Sequence, residues 1–157
     1  METYKGNEAL LSELMTAFMA SRRIDICSVM PAYDWARQAA RDGLTVVVGF
    51  GSRLEQDVLG YLLRGRGGIV VVLARRMYAR LPEAWQEPLQ QGRLLIISTG
   101  SEMRQSRQSA QRRNRYIASI AAEVVFPSMP PADSSLRPIY DDLKAQGKPI
   151  RLLVQPE

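Results

Sequence analysis

Residues 44–55 read Leu44-Thr45-Val46-Val47-Val48-Gly49-Phe50-Gly51-Ser52-Arg53-Leu54-Glu55, and this stretch decides the fold. Leu44 to Val48 is apolar throughout instead of alternating, the pattern of a strand covered on both faces. Gly49 and Gly51 suit a tight turn. Ser52 and Glu55 then form an S-x-x-E capping box that starts a helix. Leu54, Val58 and Leu62 follow at i, i+4 and i+8, one apolar stripe at helical spacing. A buried strand, a glycine turn and an amphipathic helix make the repeating unit of a parallel sheet.

Further units lie on either side. Thr16 to Ala20, Ile69 to Leu73, Leu94 to Ile97, Val124 to Phe126 and Ile150 to Val154 read as strands. Between them, Pro31 to Asp42, Pro82 to Gln91, Arg107 to Ala122 and Leu136 to Gln146 read as helices, with Gly43 and Gly147 as stops. Asn7 to Met15 reads as a short helix capped by Asn7, so residues 1–15 form an N-terminal helical extension. Alternating buried strands and helices imply right-handed parallel crossovers. The expected fold class is α/β, a Rossmann-like three-layer sandwich with a mostly parallel sheet of five to six strands. No repeat or second core is evident, and residues 1–157 are expected to form one domain.

Composition narrows the chemistry. With 46% apolar and 24% charged residues, the chain of 157 residues is globular in character. Its one cysteine, Cys27, excludes an internal disulfide, and histidine is absent. A histidine-containing zinc site, a Ser-His-Asp triad and a Cys-His pair are therefore excluded. No metal site and no cofactor are expected: there is no Walker A sequence, and Gly49-Phe50-Gly51 lacks the third glycine of a dinucleotide fingerprint. The apolar runs are strand-sized and no secretory leader is evident, so the expectation is a cytoplasmic protein with no membrane partner. The net charge of +5 favours an anionic partner.

In open α/β sheets, ligands sit beyond the carboxyl ends of the strands. Those ends read Ser21-Arg22-Arg23, Gly49-Phe50-Gly51-Ser52-Arg53, Ala74-Arg75-Arg76 and Ser98-Thr99-Gly100-Ser101. Small residues admit a ligand to the backbone, hydroxyls and helix N-termini supply donors, and arginine forks suit phosphate. The most basic stretch, Ser101 to Arg115, carries Arg104, Arg107, Arg112, Arg113 and Arg115 against Glu102 alone. Such a run is often a solvated helix face; here it directly follows a strand end. Aromatic interleaving is thin, with only Phe50 and Tyr116 nearby.

These residues resemble the core of the DprA/Smf DNA-processing proteins, in the superfamily that also holds the LOG (Lonely Guy) nucleotide hydrolases. The matching features are Ala20-Ser21-Arg22 after the first strand, the glycine turn from Gly49 to Glu55, Gly92 to Ser98 for G-x-L-I-S, and Arg113-Asn114-Arg115-Tyr116-Ile117-Ala118-Ser119-Ile120-Ala121 for R-N-R-I-I-A-x-L-[SA]. The resemblance runs over about residues 16 to 154. It implies single-stranded DNA binding at the strand-end face, self-association as a homo-oligomer, and a pocket wall that includes Arg113, Asn114 and Arg115. The family's S-G-S-x-x-T-A loop is only loosely represented, by Asp133-Ser134-Ser135-Leu136. The helical N-terminal and winged-helix C-terminal domains of longer relatives are not among these residues, so recombinase loading is not carried over. The P-G-G-x-G-T-x-x-E motif of the LOG hydrolases is absent.

The leading expectation is a non-catalytic module that binds single-stranded DNA or a nucleotide-like ligand. Its contacts are expected from Ser21, Arg22, Gly49, Gly51, Ser52, Arg53, Arg75, Ser98, Gly100, Arg113, Asn114 and Arg115. Two alternatives stay open: an N-glycoside hydrolase acting on nucleotides with Glu55 as acid/base, and a sensor or carrier of a small phosphorylated ligand.

Overall fold

The computed structural model describes residues 2–156. Seven strands and five α-helices follow in the order β1 (Thr3–Gly6), β2 (Thr16–Phe18), α1 (Val29–Asp42), β3 (Val46–Gly49), α2 (Arg53–Leu63), β4 (Ile69–Leu73), α3 (Glu83–Gln90), β5 (Leu94–Ser98), α4 (Arg107–Ile120), β6 (Glu123–Phe126), α5 (Arg137–Ala145) and β7 (Ile150–Leu152). They build one sheet with strand order β1-β5-β4-β3-β2-β6-β7. Only β1 runs antiparallel, against β5; every other pairing is parallel. This is the Rossmann-like three-layer sandwich expected from the sequence.

The central strands are buried along their whole length because helices cover both faces. Phe18, Val46, Val48, Ile69, Val71, Leu94 and Ile96 face Trp35, Val58, Leu62 and Trp85 of α1, α2 and α3. Their alternates Ala17, Val47, Val70, Val72, Leu95 and Ile97 face Ile117 and Ala118 of α4 and Ile139 and Leu143 of α5. Each fully buried aliphatic side chain of this kind contributes about 1.5–3 kcal/mol before the entropy of ordering is set against it. Local signals agree with this packing. In α1, Ala32, Trp35, Ala36 and Ala39 form the buried stripe, and Gly43 ends the helix at φ 71°, a left-handed conformation that favours glycine.

The N-terminus departs from expectation. Asn7 does cap a helix, its Oδ1 accepting from the Ala9 amide at 3.1 Å, but the helix is a 3-10 turn over Glu8–Ser12 in which only Leu10 is buried. Residues before it, read as part of a helical extension, form β1 and raise the sheet to seven strands. All four residues of β1 are exposed, so this edge strand carries no apolar signature. Pairing of Tyr4 with Ile97 and Lys5 with Ile96 covers the edge of β5. Among the described residues, no helix is long and apolar enough to cross a membrane.

Topology fixes where a ligand can enter. From β2 the chain steps through β3, β4 and β5 with α1, α2 and α3 on one face. Then α4 crosses the opposite face and places β6 beside β2. Loops leaving β2 and β6 diverge to opposite faces, which opens a crevice at the carboxyl ends of the strands.

Candidate nucleic-acid interface

The crevice is organised by one buried carboxylate. Glu55, only 3% exposed, sits in the first turn of α2. Its Oε1 accepts from the amides of Gly51 at 3.2 Å and Ser52 at 3.0 Å, and its Oε2 accepts from the Ala20 amide at 3.2 Å. The Glu55 amide in turn donates to Ser52 Oγ at 3.2 Å, completing the capping box. One side chain thus ties the end of β2 to the turn after β3. Both oxygens are engaged with backbone donors, which accounts for Glu55 as a structural clasp without the acid/base role of the hydrolase reading.

Arg113 closes the crevice from the other face. It is 3% exposed and its Nε donates to Asn114 Oδ1 at 2.8 Å. Its guanidinium lies over the glycine turn. A Cβ at Gly49 would stand 3.0 Å from Arg113 Cζ, and one at Gly51 would stand 2.5 Å from Arg113 Nη2. Here the glycines matter as space for the guanidinium, since neither has a positive φ. Burial pulls the Arg113 pKa below the ordinary guanidinium value, and the charge of Glu55 opposes that shift. An arginine nevertheless stays protonated, so a fixed positive charge sits at the floor of the site.

Two neighbouring spaces share Gly51, Gln105 and Arg113 in their walls. A recess of about 60 Å³ is walled by Ser21, Arg22, Ser52, Asn114 and Ser135. Beside it, a cleft of about 330 Å³ is lined by Phe50, Arg75, Tyr78, Met103 and Arg104. The Arg75 guanidinium lies 4.1 Å from the Tyr78 ring centroid, and Phe50 packs edge-on against Trp85 at 5.4 Å. The recess carries Arg22 and Arg113 against the single carboxylate of Glu55, and beside it the cleft presents Phe50 and Tyr78, so an excess of guanidinium adjoins a stacking surface.

The expected site residues divide accordingly. Ser21, Arg22, Gly51, Ser52, Arg75, Arg113 and Asn114 line the two spaces, and Gly49 lies beneath Arg113. Four others do not line them. Ser98 is 1% exposed and its hydroxyl stands within hydrogen-bond distance of the Arg75 and Gly100 carbonyls, with one proton to give between them, so it fastens the loop after β5. Gly100 gives close passage over the backbone of Ala74, whose carbonyl oxygen would lie 3.1 Å from an added Cβ. Arg53 points outward, 88% exposed, and pairs with Asp57 at 3.2 Å. Arg115 pairs with Asp142 of α5 at 2.9 Å. Consecutive helical residues are rotated by about 100°, so Arg113, Asn114 and Arg115 do not share one wall. Helix α4 itself begins only at Arg107, capped by Ser106, which leaves Arg104 in the loop against the cleft.

Sequence reasoning missed Tyr78 and Met103, which the loops after β4 and β5 carry to the cleft. Tyr78 stands three residues beyond Arg75, so reading each strand end a few residues further would have included it. Tyr116, by contrast, is no stacking surface. Burial, and then hydrogen bonding with Tyr4 of β1, pushes its hydroxyl up to about 12.

Comparisons with known proteins bear on the fold and the family. No curated protein sequence matches the chain significantly. Among solved structures, the DNA processing protein A of Helicobacter pylori, described for its single-stranded DNA binding mode, is similar with a TM-score of 0.73 and 22% identity. The match covers 95% of this chain and 69% of that one. The DprA of Streptococcus pneumoniae gives a TM-score of 0.73 at 19% identity; the match covers 95% of this chain but only 53% of that one. A Moco carrier protein of Chlamydomonas rheinhardtii shares the fold more distantly, at 0.57 and 16% identity, over 92% of this chain and 78% of that one. At these identities the solved structures show a common fold. The family follows from the sequence itself: residues 3–138 match the model for DNA recombination-mediator protein A, and the chain belongs to that family.

Proposed function

We propose that the chain is a single-stranded DNA-binding module whose contact surface is the strand-end crevice. The observation that carries this reading is the junction of a buried guanidinium, Arg113, with an aromatic cleft at the topological switch point. Arg22 and Arg113 take phosphate in the recess, where they outnumber the one carboxylate, Glu55, whose oxygens are already held by backbone amides. Tyr78, backed by Arg75, and Phe50 present ring faces and edges to a base in the cleft. Stacking of this kind accepts any base, so recognition follows the single strand more than its sequence. Self-association, implied by the resemblance, belongs to the same reading, with the chain acting as one binding module in the cytoplasm.

Tyr78 supplies the test. Tyr78→Ala is expected to weaken binding of an oligothymidylate about tenfold, the size of one lost base–aromatic stack. Tyr78 also packs edge-on against Trp85, so the melting transition is expected to fall by a few degrees, and circular dichroism melts check that the variant is folded at the assay temperature. Fluorescence anisotropy titration measures the affinity. Equal affinities for the variant and the parent protein would remove the cleft from the interface.

The carrier reading keeps one specific support, the cleft volume of about 330 Å³, which is at the lower end of ordinary small-ligand sites. Thermal stabilisation by a mononucleotide, without affinity for single strands, would favour it.

A further inference from the structure

A second cationic surface lies at the opposite end of the strands. There α1 and α2 pack side by side, and Gly65, just past α2, lets the chain come down on α1. A Cβ at Gly65 would stand 2.5 Å from Ala40 Cβ. This approach brings Arg37 and Arg41 of α1 together with Tyr61 and with Arg64 and Arg66 beyond α2, all lining one open groove of about 670 Å³. The guanidinium carbons of Arg37 and Arg64 lie 4.8 and 5.1 Å from the Tyr61 centroid, and Arg37 Nη2 donates to the Tyr61 hydroxyl at 3.2 Å.

The arginine count exceeds what the fold requires. Helix C-termini favour cations, and Arg66 meets that need by donating from Nε to the Arg41 carbonyl at 2.9 Å. Arg37 pairs with Asp34 at 3.0 Å. Arg41 donates to Gln38 Oε1 at 2.9 Å, and among the described residues neither it nor Arg64 has a carboxylate within ion-pair distance. Among the described residues, no carboxylate lines the groove. Like charges gathered in one groove repel, and an anionic occupant offsets that repulsion. Guanidinium forks fit phosphate oxygens in pairs, the tyrosine adds a π surface, and an open groove admits a polymer in passing.

We propose that this groove is a second contact for the phosphodiester backbone of single-stranded nucleic acid. The proposal rests on the reading of the crevice as the first contact. Helix α1 has 14 residues, about 20 Å of length, and it leads from the crevice end of the sheet to the groove. A strand long enough to follow it touches both sites.

The test compares Arg41→Gln/Arg64→Gln with Arg22→Gln/Arg104→Gln, which alters the crevice. All four arginines are exposed, so both double variants are expected to fold, and circular dichroism melts check this. On an oligothymidylate of about 20 nucleotides, the groove variant is expected to lower the magnitude of the log K against log salt slope by about 1.4, two phosphate contacts' worth. The crevice variant should keep a weakened, salt-dependent affinity. A groove variant with the parent slope, beside a crevice variant that binds nothing, overturns the groove and leaves the crevice standing. Absence of strand binding by the parent protein overturns both. If polyglutamate binds the parent but not the groove variant, while the DNA slope is unchanged, the groove is an acidic-peptide site and the proposal fails.

Discussion

Replacing Glu55 by alanine is expected to lower the free energy of unfolding by about 3–5 kcal/mol. Three backbone amides, those of Ala20, Gly51 and Ser52, lose their acceptor at once. A buried donor left unsatisfied costs about 1–3 kcal/mol. Arg113 also loses the nearby negative charge that opposes its desolvation. Rearrangement and entering water recover part of the sum. Glu55→Gln should cost less, about 1–3 kcal/mol, because its carbonyl oxygen still accepts from Gly51 and Ser52 while its amide nitrogen meets the Ala20 donor. Urea unfolding measures both. A loss below about 1 kcal/mol for Glu55→Ala would show that the clasp does not hold the crevice together. Base release from a nucleoside monophosphate, lost in Glu55→Gln without loss of stability, would restore the hydrolase reading.

Single-strand affinity is expected to fall roughly 50-fold between 50 and 200 mM salt through the crevice alone. Arg22, Arg75, Arg104 and Arg113 border the two neighbouring spaces. Four neutralised phosphates, at about 0.7 each for a single strand, give a slope near −3. Engagement of the α1–α2 groove by longer strands steepens it further. Affinity measured across a salt series reads the slope directly, and a slope near zero would exclude a phosphate-directed site.

The strands were legible in the sequence because burial on both faces leaves no polar alternation to confuse. Val46-Val47-Val48 and Ile69 to Leu73 lie where apolar runs placed them. Strand β1 was not legible, since Thr3-Tyr4-Lys5-Gly6 has neither face buried and is held by backbone pairing to β5. The site was legible in part. Strand ends converge by topology, so Ser21, Gly51 and Arg75 come together as the fold class dictates. Helix phase and loop path were the harder quantities. Arg113 and Arg115 are two residues apart yet reach the crevice and α5 respectively. Tyr78 reaches the cleft along a loop whose course no periodicity encodes.

The most direct test is photo-cross-linking of a single strand carrying iododeoxyuridine, with the adducted peptides identified by mass spectrometry. Adducts are predicted at Phe50, Tyr78 or Met103, the side chains that face the cleft beside Arg113. Adducts confined to the outer surfaces of α3 and α5, with none at the strand ends, would contradict binding at the crevice.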